Sequence, residues 1–277
     1  MRHKLGIFSF FGYRLSLTTR VKLIRQAGFE MTGLWWHEFA KGAEPLKDRP
    51  RIVRDHGLEL DNVHIPYRGA KALWSREKSR RQRYVDYCRE CLEDCARHDI
   101  GKMVMHLSVG NKYVQPNGHG LDTLRQLAEF AENVGVDIAF ENTRHIEMLD
   151  AVLDQIDSPA VSFCYDTGHD NVWGEPAGQI AVDWAERMSI THLSDNRGIM
   201  DWHSPIGEGN YDWPFLAETL SRCEYAGPLM LEVFTRDREL PPRVFLDNCF
   251  HGLRNFAKMV AEQSVYQKQE TRTYDQL

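Results

Sequence analysis

No apolar run in this chain of 277 residues approaches the roughly 20 that a membrane-spanning helix needs. The amino-terminal M-R-H-K-L-G-I-F-S-F-F-G starts basic and turns apolar, but its apolar part is short and has no small-residue cleavage site. It reads as a first strand rather than a signal peptide, and a cytoplasmic protein with no membrane partner is expected. Positive charge is not in excess: 34 Lys and Arg against 40 Asp and Glu leave a formal net charge of −6. A broad basic face for nucleic acid is therefore not indicated. Paired cysteines are missing too. Six cysteines are scattered along the chain, and Cys88, Cys91 and Cys95 share one helical face at i, i+3 and i+7 with no companion histidine nearby. They read as small apolar residues that pack a helix and stay reduced in the cytosol. No Pro/Gly/Ser-rich linker divides the chain, so one large domain is expected. No G-x-G-x-x-G follows the first strand, which removes the fingerprint of a dinucleotide fold.

What is present is an alternation of strand and helix signals from end to end. Strands are expected over 4–11, 31–37, 58–65, 102–107, 136–140, 160–165, 190–193 and 228–234. Helices are expected over 17–27, 45–56, 75–98, 121–134, 146–156, 177–188, 213–223 and 242–260, with Gly28, Gly57 and Gly135 as C-terminal stops. Alternating β and α elements imply a parallel sheet. Eight near-equal units without a Gly-rich first turn favour a closed (β/α)₈ TIM barrel, which typically takes about 250 residues, over an open doubly wound sheet. Residues 1–262 are assigned to this single domain. Residues 263–277 are polar and without periodicity. They read as a frayed tail, or as an arm that a neighbouring subunit would order in a homo-oligomer.

Acidic and histidine residues end one short apolar run after another. V-D-I-A-F-E ends at Glu141, V-S-F-C-Y-D at Asp166, I-T-H-L-S-D carries His192 and Asp195, and P-L-M-L-E ends at Glu232; upstream runs carry His64 and His106. In a parallel barrel such ends gather at one mouth. Glu141, Asp166, His192 and Glu232, from four successive strands, are a ligand set for one divalent ion, since buried ionisable groups are costly unless paired or metal-bound. Mixed N/O ligands disfavour a soft thiolate metal without choosing among Mn²⁺, Mg²⁺, Co²⁺ and Zn²⁺; Mn²⁺ is the working expectation. A second constellation, His64, His106, His169, Asp201 and His203, is open to two readings. Neutral imidazoles there hold sugar hydroxyls, or the group binds additional metals.

H-x-P, the E-N pair, D-T-G-H, H-x-x-D-N, D-x-H-x-x-x-G-x-G-x-x-D-W and the final L-E stand here in one order across nearly the whole chain. In this the chain resembles the xylose isomerase-like barrel superfamily, which groups sugar isomerases and epimerases with apurinic/apyrimidinic endonucleases of the endonuclease IV type. Resemblance to the ketose 3-epimerases puts the metal on Glu141, Asp166, His192 and Glu232. It makes Glu141 and Glu232 the acid–base pair and sets His169 and Arg197 on substrate oxygens. Resemblance to the endonucleases implies three zinc ions on His64, His106, Glu141, Asp166, His169, His192, Asp201, His203 and Glu232. All nine positions are occupied here.

Mouth loops W-W-H-E-F, P-Y-R-G-A-K, S-V-G-N-K-Y and N-V-W-G-E are aromatic and only mildly charged, which favours a sugar or polyol over abasic DNA. The expected reaction is therefore metal-dependent isomerisation or epimerisation of a sugar, sugar phosphate or polyol through an enediolate. Metal-dependent phosphodiester cleavage of abasic DNA is the alternative. Trp35 and Trp36 must point to opposite faces of a strand, so at most one faces the interior. Trp173 is a candidate to line the mouth and stack on a sugar face. The basic run from Lys78 to Arg83 reads as a solvated helix face, and Arg68 and Lys71 are better placed for a phosphate.

Overall fold

A computed structural model describes residues 2–37, 43–111 and 113–274, with side chains described through Ser264. Its strands are β1 Leu5–Ile7, β2 Met31–Trp35, β3 Glu59–His64, β4 Lys102–His106, β5 Asp137–Glu141, β6 Val161–Asp166, β7 Met188–His192 and β8 Leu229–Leu231. The helices are α1 Leu17–Ala27, α2 Arg49–Asp55, α3 Lys78–Arg97, α4 Gly118–Val134, α5 Ile146–Gln155, α6 Thr167–Trp173, α7 Gln179–Asp183, α8 Trp213–Arg222 and α9 Pro242–Tyr274. All strand pairs are parallel, in the order β7-β6-β5-β4-β3-β2-β1-β8. Leu193 closes the ring: its N–H donates to Met230 O at 2.8 Å and its carbonyl accepts from Glu232 N at 3.1 Å. The expected single-domain (β/α)₈ barrel is what forms.

Local chemistry sets the helix ends. Ser16 caps α1 by accepting from Thr19 N, and Gly28 closes it at φ 107°, a left-handed conformation that glycine takes at little cost. Asn117 caps α4 by accepting from Gly120 N, so the helix starts three residues before the expected 121. Between strands and helices lies the main apolar core; Trp36 packs there, its Nε1 donating to Asp94 Oδ2 of α3 at 3.2 Å. Cys88, Cys91 and Cys95 are buried in that layer too. Inside the barrel Val104, Ala139, Cys164 and Ile190, one each from β4 to β7, form a small fully buried layer beneath the mouth.

Other elements differ from expectation: the first strand shortens to Leu5–Ile7, and a 3-10 helix, Tyr67–Trp74, follows β3. The segment after Asp166, expected as loop, is the short helix α6. Expected helix 177–188 is reduced to α7 and a 3-10 turn, Ala185–Arg187, because Gly178 enters it at φ 88°. The last helix continues to Tyr274, past the expected 260: its polar residues after Val260 include the helix formers Glu, Gln and Lys. No helix of the described residues is long and apolar enough to cross a membrane.

Candidate active site

Strand register brings the chemistry together. Cα pairing sets Trp35 beside His64, His106 beside Glu141, Glu141 beside Cys164, and Asp166 beside His192. The result is a buried cluster centred on Glu141, which is 1% exposed. Glu141 Oε2 lies 3.0 Å from His64 Nε2 and 2.9 Å from His106 Nε2. Its Oε1 lies 3.4 Å from both His192 Nδ1 and His169 Nδ1. His192 Nδ1 also stands 3.1 Å from Glu232 Oε2. On the far side Asp201 Oδ2 lies 3.3 Å from His169 Nε2 and 3.0 Å from His203 Nε2.

Electrostatics follow from the crowding. Burial pushes the Glu141 carboxyl up, but His106 and His192 override it and hold it well below the usual carboxylate range. Glu232 likewise resists burial through His192 and sits at about 2. Burial wins at Asp166, which is pushed up to about 7. His169 and His192 are raised well above the ordinary imidazole value, burial being outweighed by neighbouring acidic groups, Asp166 for the first and Cys164 and Glu232 for the second. His203 is raised to about 9, its bond to Asp201 and the charge of Glu232 overriding burial. His106 moves down, because burial dominates there. Burial pushes the Cys164 thiol up to about 12.

These residues fit a divalent ion. Ligand atoms of Glu141, Asp166, His192 and Glu232 all lie within 4.8 Å of one another. The groups His64–His106–Glu141, Glu141–Cys164–His192 and His169–Asp201–His203 meet the same test, so Glu141 is shared among three sets. Asp166 Oδ2, His192 Nε2 and Asp201 Oδ1 are buried without a hydrogen-bond partner. Each such atom costs about 1–3 kcal/mol unless something satisfies it, and a cation would satisfy both carboxylate oxygens.

The cluster floors a cavity of about 1380 Å³. Four of its histidines lean on aromatic rings: Trp35 on His64 at 4.3 Å between centroids, Tyr67 on His106 at 4.9 Å, Trp173 on His169 at 5.3 Å, and Phe234 on His203 at 4.6 Å. Such packing locks the ring rotamers. Trp35 and Trp173 thus line the cavity and Trp36 does not. Arg197, set on substrate oxygens by resemblance, is not brought to the site. It is exposed and does not line the cavity. The neighbouring Asn196 is buried, its side chain donating to Gly168 O and accepting from Gly198 N, and this tight turn presents Arg197 outward. Lys71 is likewise exposed and off the cavity wall, whereas Arg68 lines it. Lys78, Arg80 and Arg83 face solvent, as expected.

Several residues of the quoted motifs have supporting roles that the sequence does not reveal. Asn142 Oδ1 accepts from Asp166 N at 2.7 Å, its Nδ2 donates to Asp166 O at 2.8 Å, and its carbonyl O lies 2.9 Å from His169 Nδ1. The E-N pair hinted at this, since only the glutamate of the two has metal chemistry. Asp195 accepts from the N–H groups of Asn196, Gly207 and Tyr211 and from Trp213 Nε1, tying the G-E-G loop to the end of β7. Gly168 has no room for a side chain: a Cβ would strike Ser194 Oγ and stand 3.1 Å from Asp201 Oδ1.

Comparison with known proteins places the fold. An uncharacterised protein of Methanocaldococcus jannaschii is 26% identical over 253 residues, covering 83% of each chain. The fold is similar to that of an L-ribulose 3-epimerase, with a TM-score of 0.78 and 16% identity over 96% of this chain and 98% of the other. It is similar too to a D-tagatose 3-epimerase-like protein, with a TM-score of 0.74 and 21% identity over 94% and 99% of the two chains. The family model described as xylose isomerase-like TIM barrel matches residues 21–248, and the chain belongs to that family.

Proposed function

We propose that this protein is a metal-dependent sugar isomerase or epimerase. The observation that carries the reading is the convergence of Glu141, Asp166, His192 and Glu232, of which Glu141 and Glu232 line a cavity walled by aromatic rings. Similarity to solved sugar 3-epimerases supports it. The resident ion is read as Mn²⁺, with Mg²⁺, Co²⁺ or Zn²⁺ as substitutes, held by those four residues. When bound, it supplies positive charge that lowers the cost of negative charge developing on a substrate carbonyl and its neighbouring hydroxyl.

The chain's own residues do the rest. Glu141 and Glu232 flank His192 and both line the cavity, so one takes the proton from the carbon beside the carbonyl and the other returns a proton to the opposite face. Glu141 is engaged on both oxygens by histidines, which leaves Glu232 the freer base. His64, His106, His169, Asp201 and His203 hold substrate hydroxyls, and Trp35 and Trp173 supply ring faces for the sugar. Proton exchange tests this directly. Loaded protein and a ketose panel in D₂O should show deuterium entering at the carbon beside the carbonyl, read by NMR.

The adjoining groups His64–His106–Glu141 and His169–Asp201–His203 favour a second reading, a trinuclear phosphodiesterase on abasic DNA. Nicking of an abasic duplex together with about three ions per chain, and no deuterium exchange, would replace the first reading with the second.

A further inference from the structure

The cavity is larger than the roughly 300–1,000 Å³ of an ordinary small-molecule site. Away from the cluster its wall is cationic. Arg14 from the β1–α1 connection, Arg20 from α1, Arg68 from the turn after β3 and Arg144 from the turn after β5 all line it. None of them contacts a cluster residue. Arg14 and Arg68 have no hydrogen bond or ion pair with any described residue. Arg144 meets only the Asn111 amide oxygen at 3.5 Å and the face of Trp173 at 6.0 Å, neither of which neutralises it. Arg20 donates to the Ser9 carbonyl at 3.0 Å, and its Nε is buried without a partner. Burial also lowers the Arg20 guanidinium to about 10, with Glu44 the one acid that opposes the shift. Glu44 is the only described carboxylate of the wall outside the cluster. Four guanidinium groups over one cavity, with Glu44 as the one described carboxylate of the wall beside them, are a focused positive field in a chain of net charge −6. Guanidinium forks match the oxygens of phosphate and carboxylate alike.

We propose that Arg14, Arg20, Arg68 and Arg144 bind an anionic group at the end of the substrate remote from its reacting carbon, so that the substrates are phosphorylated or carboxylated sugars rather than free ones. This rests on the proposed sugar chemistry for what the rest of the substrate is. It does not depend on that chemistry for the anion site itself.

The test uses metal-loaded full-length protein with D-fructose, D-fructose 6-phosphate and D-fructuronate. Calorimetry reads binding, and deuterium exchange reads turnover. Anionic congeners should bind at least ten times more tightly than fructose. The exposed substitutions Arg14→Gln and Arg68→Gln, combined, should shrink that preference about tenfold, as should raising the salt. Phosphate preferred over carboxylate, or the reverse, identifies which anion the wall is built for. Equal binding of neutral and anionic sugars overturns the proposal. So does an anion preference that survives in the double variant, because the anion then sits on the metal. Arginine-dependent binding without deuterium exchange leaves the anion site standing and removes the epimerase reading.

Discussion

Replacing Glu141 by glutamine perturbs the group on which the cluster converges. The side chain is 1% exposed, and its two oxygens face His64, His106, His192 and His169 at 2.9 to 3.4 Å. Removing one partner of a buried charge pair costs about 3–5 kcal/mol. Glutamine keeps the shape and one carbonyl acceptor, so the lower end applies, about 3 kcal/mol. At about 2–4 °C per kcal/mol for a domain of this size, the chelated variant should melt about 6–12 °C below the chelated wild type while staying folded. Turnover should fall much further. Loss of one acid–base group is worth about 10²–10⁴-fold, and Glu141 is also a ligand of the proposed ion, so a drop of about 10³-fold or more is expected. Differential scanning fluorimetry with and without chelator, elemental analysis and the deuterium-exchange assay read the three effects separately. Chelation should lower the variant's Tm less than the wild type's, because less binding energy is there to lose. A variant with wild-type exchange rate and confirmed metal content would refute both roles given to Glu141.

Chelation of the wild type should abolish exchange and lower the Tm, and Mn²⁺, Co²⁺ or Mg²⁺ should restore both; full activity after exhaustive chelation, with ion loss confirmed, counts against a metal enzyme. Metal affinity should rise with pH. Asp166, at about 7, and the raised His192 carry protons near neutrality that an ion on the oxygen or nitrogen must displace. Each displaced proton changes apparent affinity about tenfold per pH unit below its pKa, and a flat profile from pH 6 to 9 by calorimetry would contradict the cluster's electrostatics. His203→Ala should weaken sugar binding and leave one ion per chain in place if the sugar reading holds, whereas loss of one of about three ions supports the phosphodiesterase. Gly168→Ala should cost about 1–3 kcal/mol and disturb sugar binding, since the added methyl collides with Ser194 and crowds Asp201; wild-type Tm and KM would show that the T-G-H turn has slack.

The barrel was readable because each strand–helix unit repeats a short-range signal: an apolar run, a polar end, a cap. Strand ends also disclosed the cluster's members, since parallel barrels bring such ends to one face. What the one-dimensional pattern lacks is register. That Glu141 Oε2 faces two histidines while Oε1 faces two others depends on His106 pairing with Glu141 and Asp166 with His192, a property of neighbouring strands. Helix α6 was hidden for a different reason. Seven residues are too few to show a helical period, and Asp166, read as a ligand, also caps the helix by accepting from His169 N. One carboxylate therefore both orients His169 and belongs to the ligand set beside it. Arg197 shows the converse hazard. A motif places a residue along the chain, but the turn held by Asn196 decides which way it points. The arginine wall was illegible as a group because Arg14, Arg20, Arg68 and Arg144 come from the loops and the helix that follow three different strands. Arg68 alone stands out from the solvated arginines of α3, as a phosphate candidate on the loop after a strand; only closure of the barrel sets all four around one cavity. Metal-ligand residues announce themselves by type, so their chemistry survives in the bare sequence. Groups that select a substrate are common surface residues, and their meaning is carried by position alone.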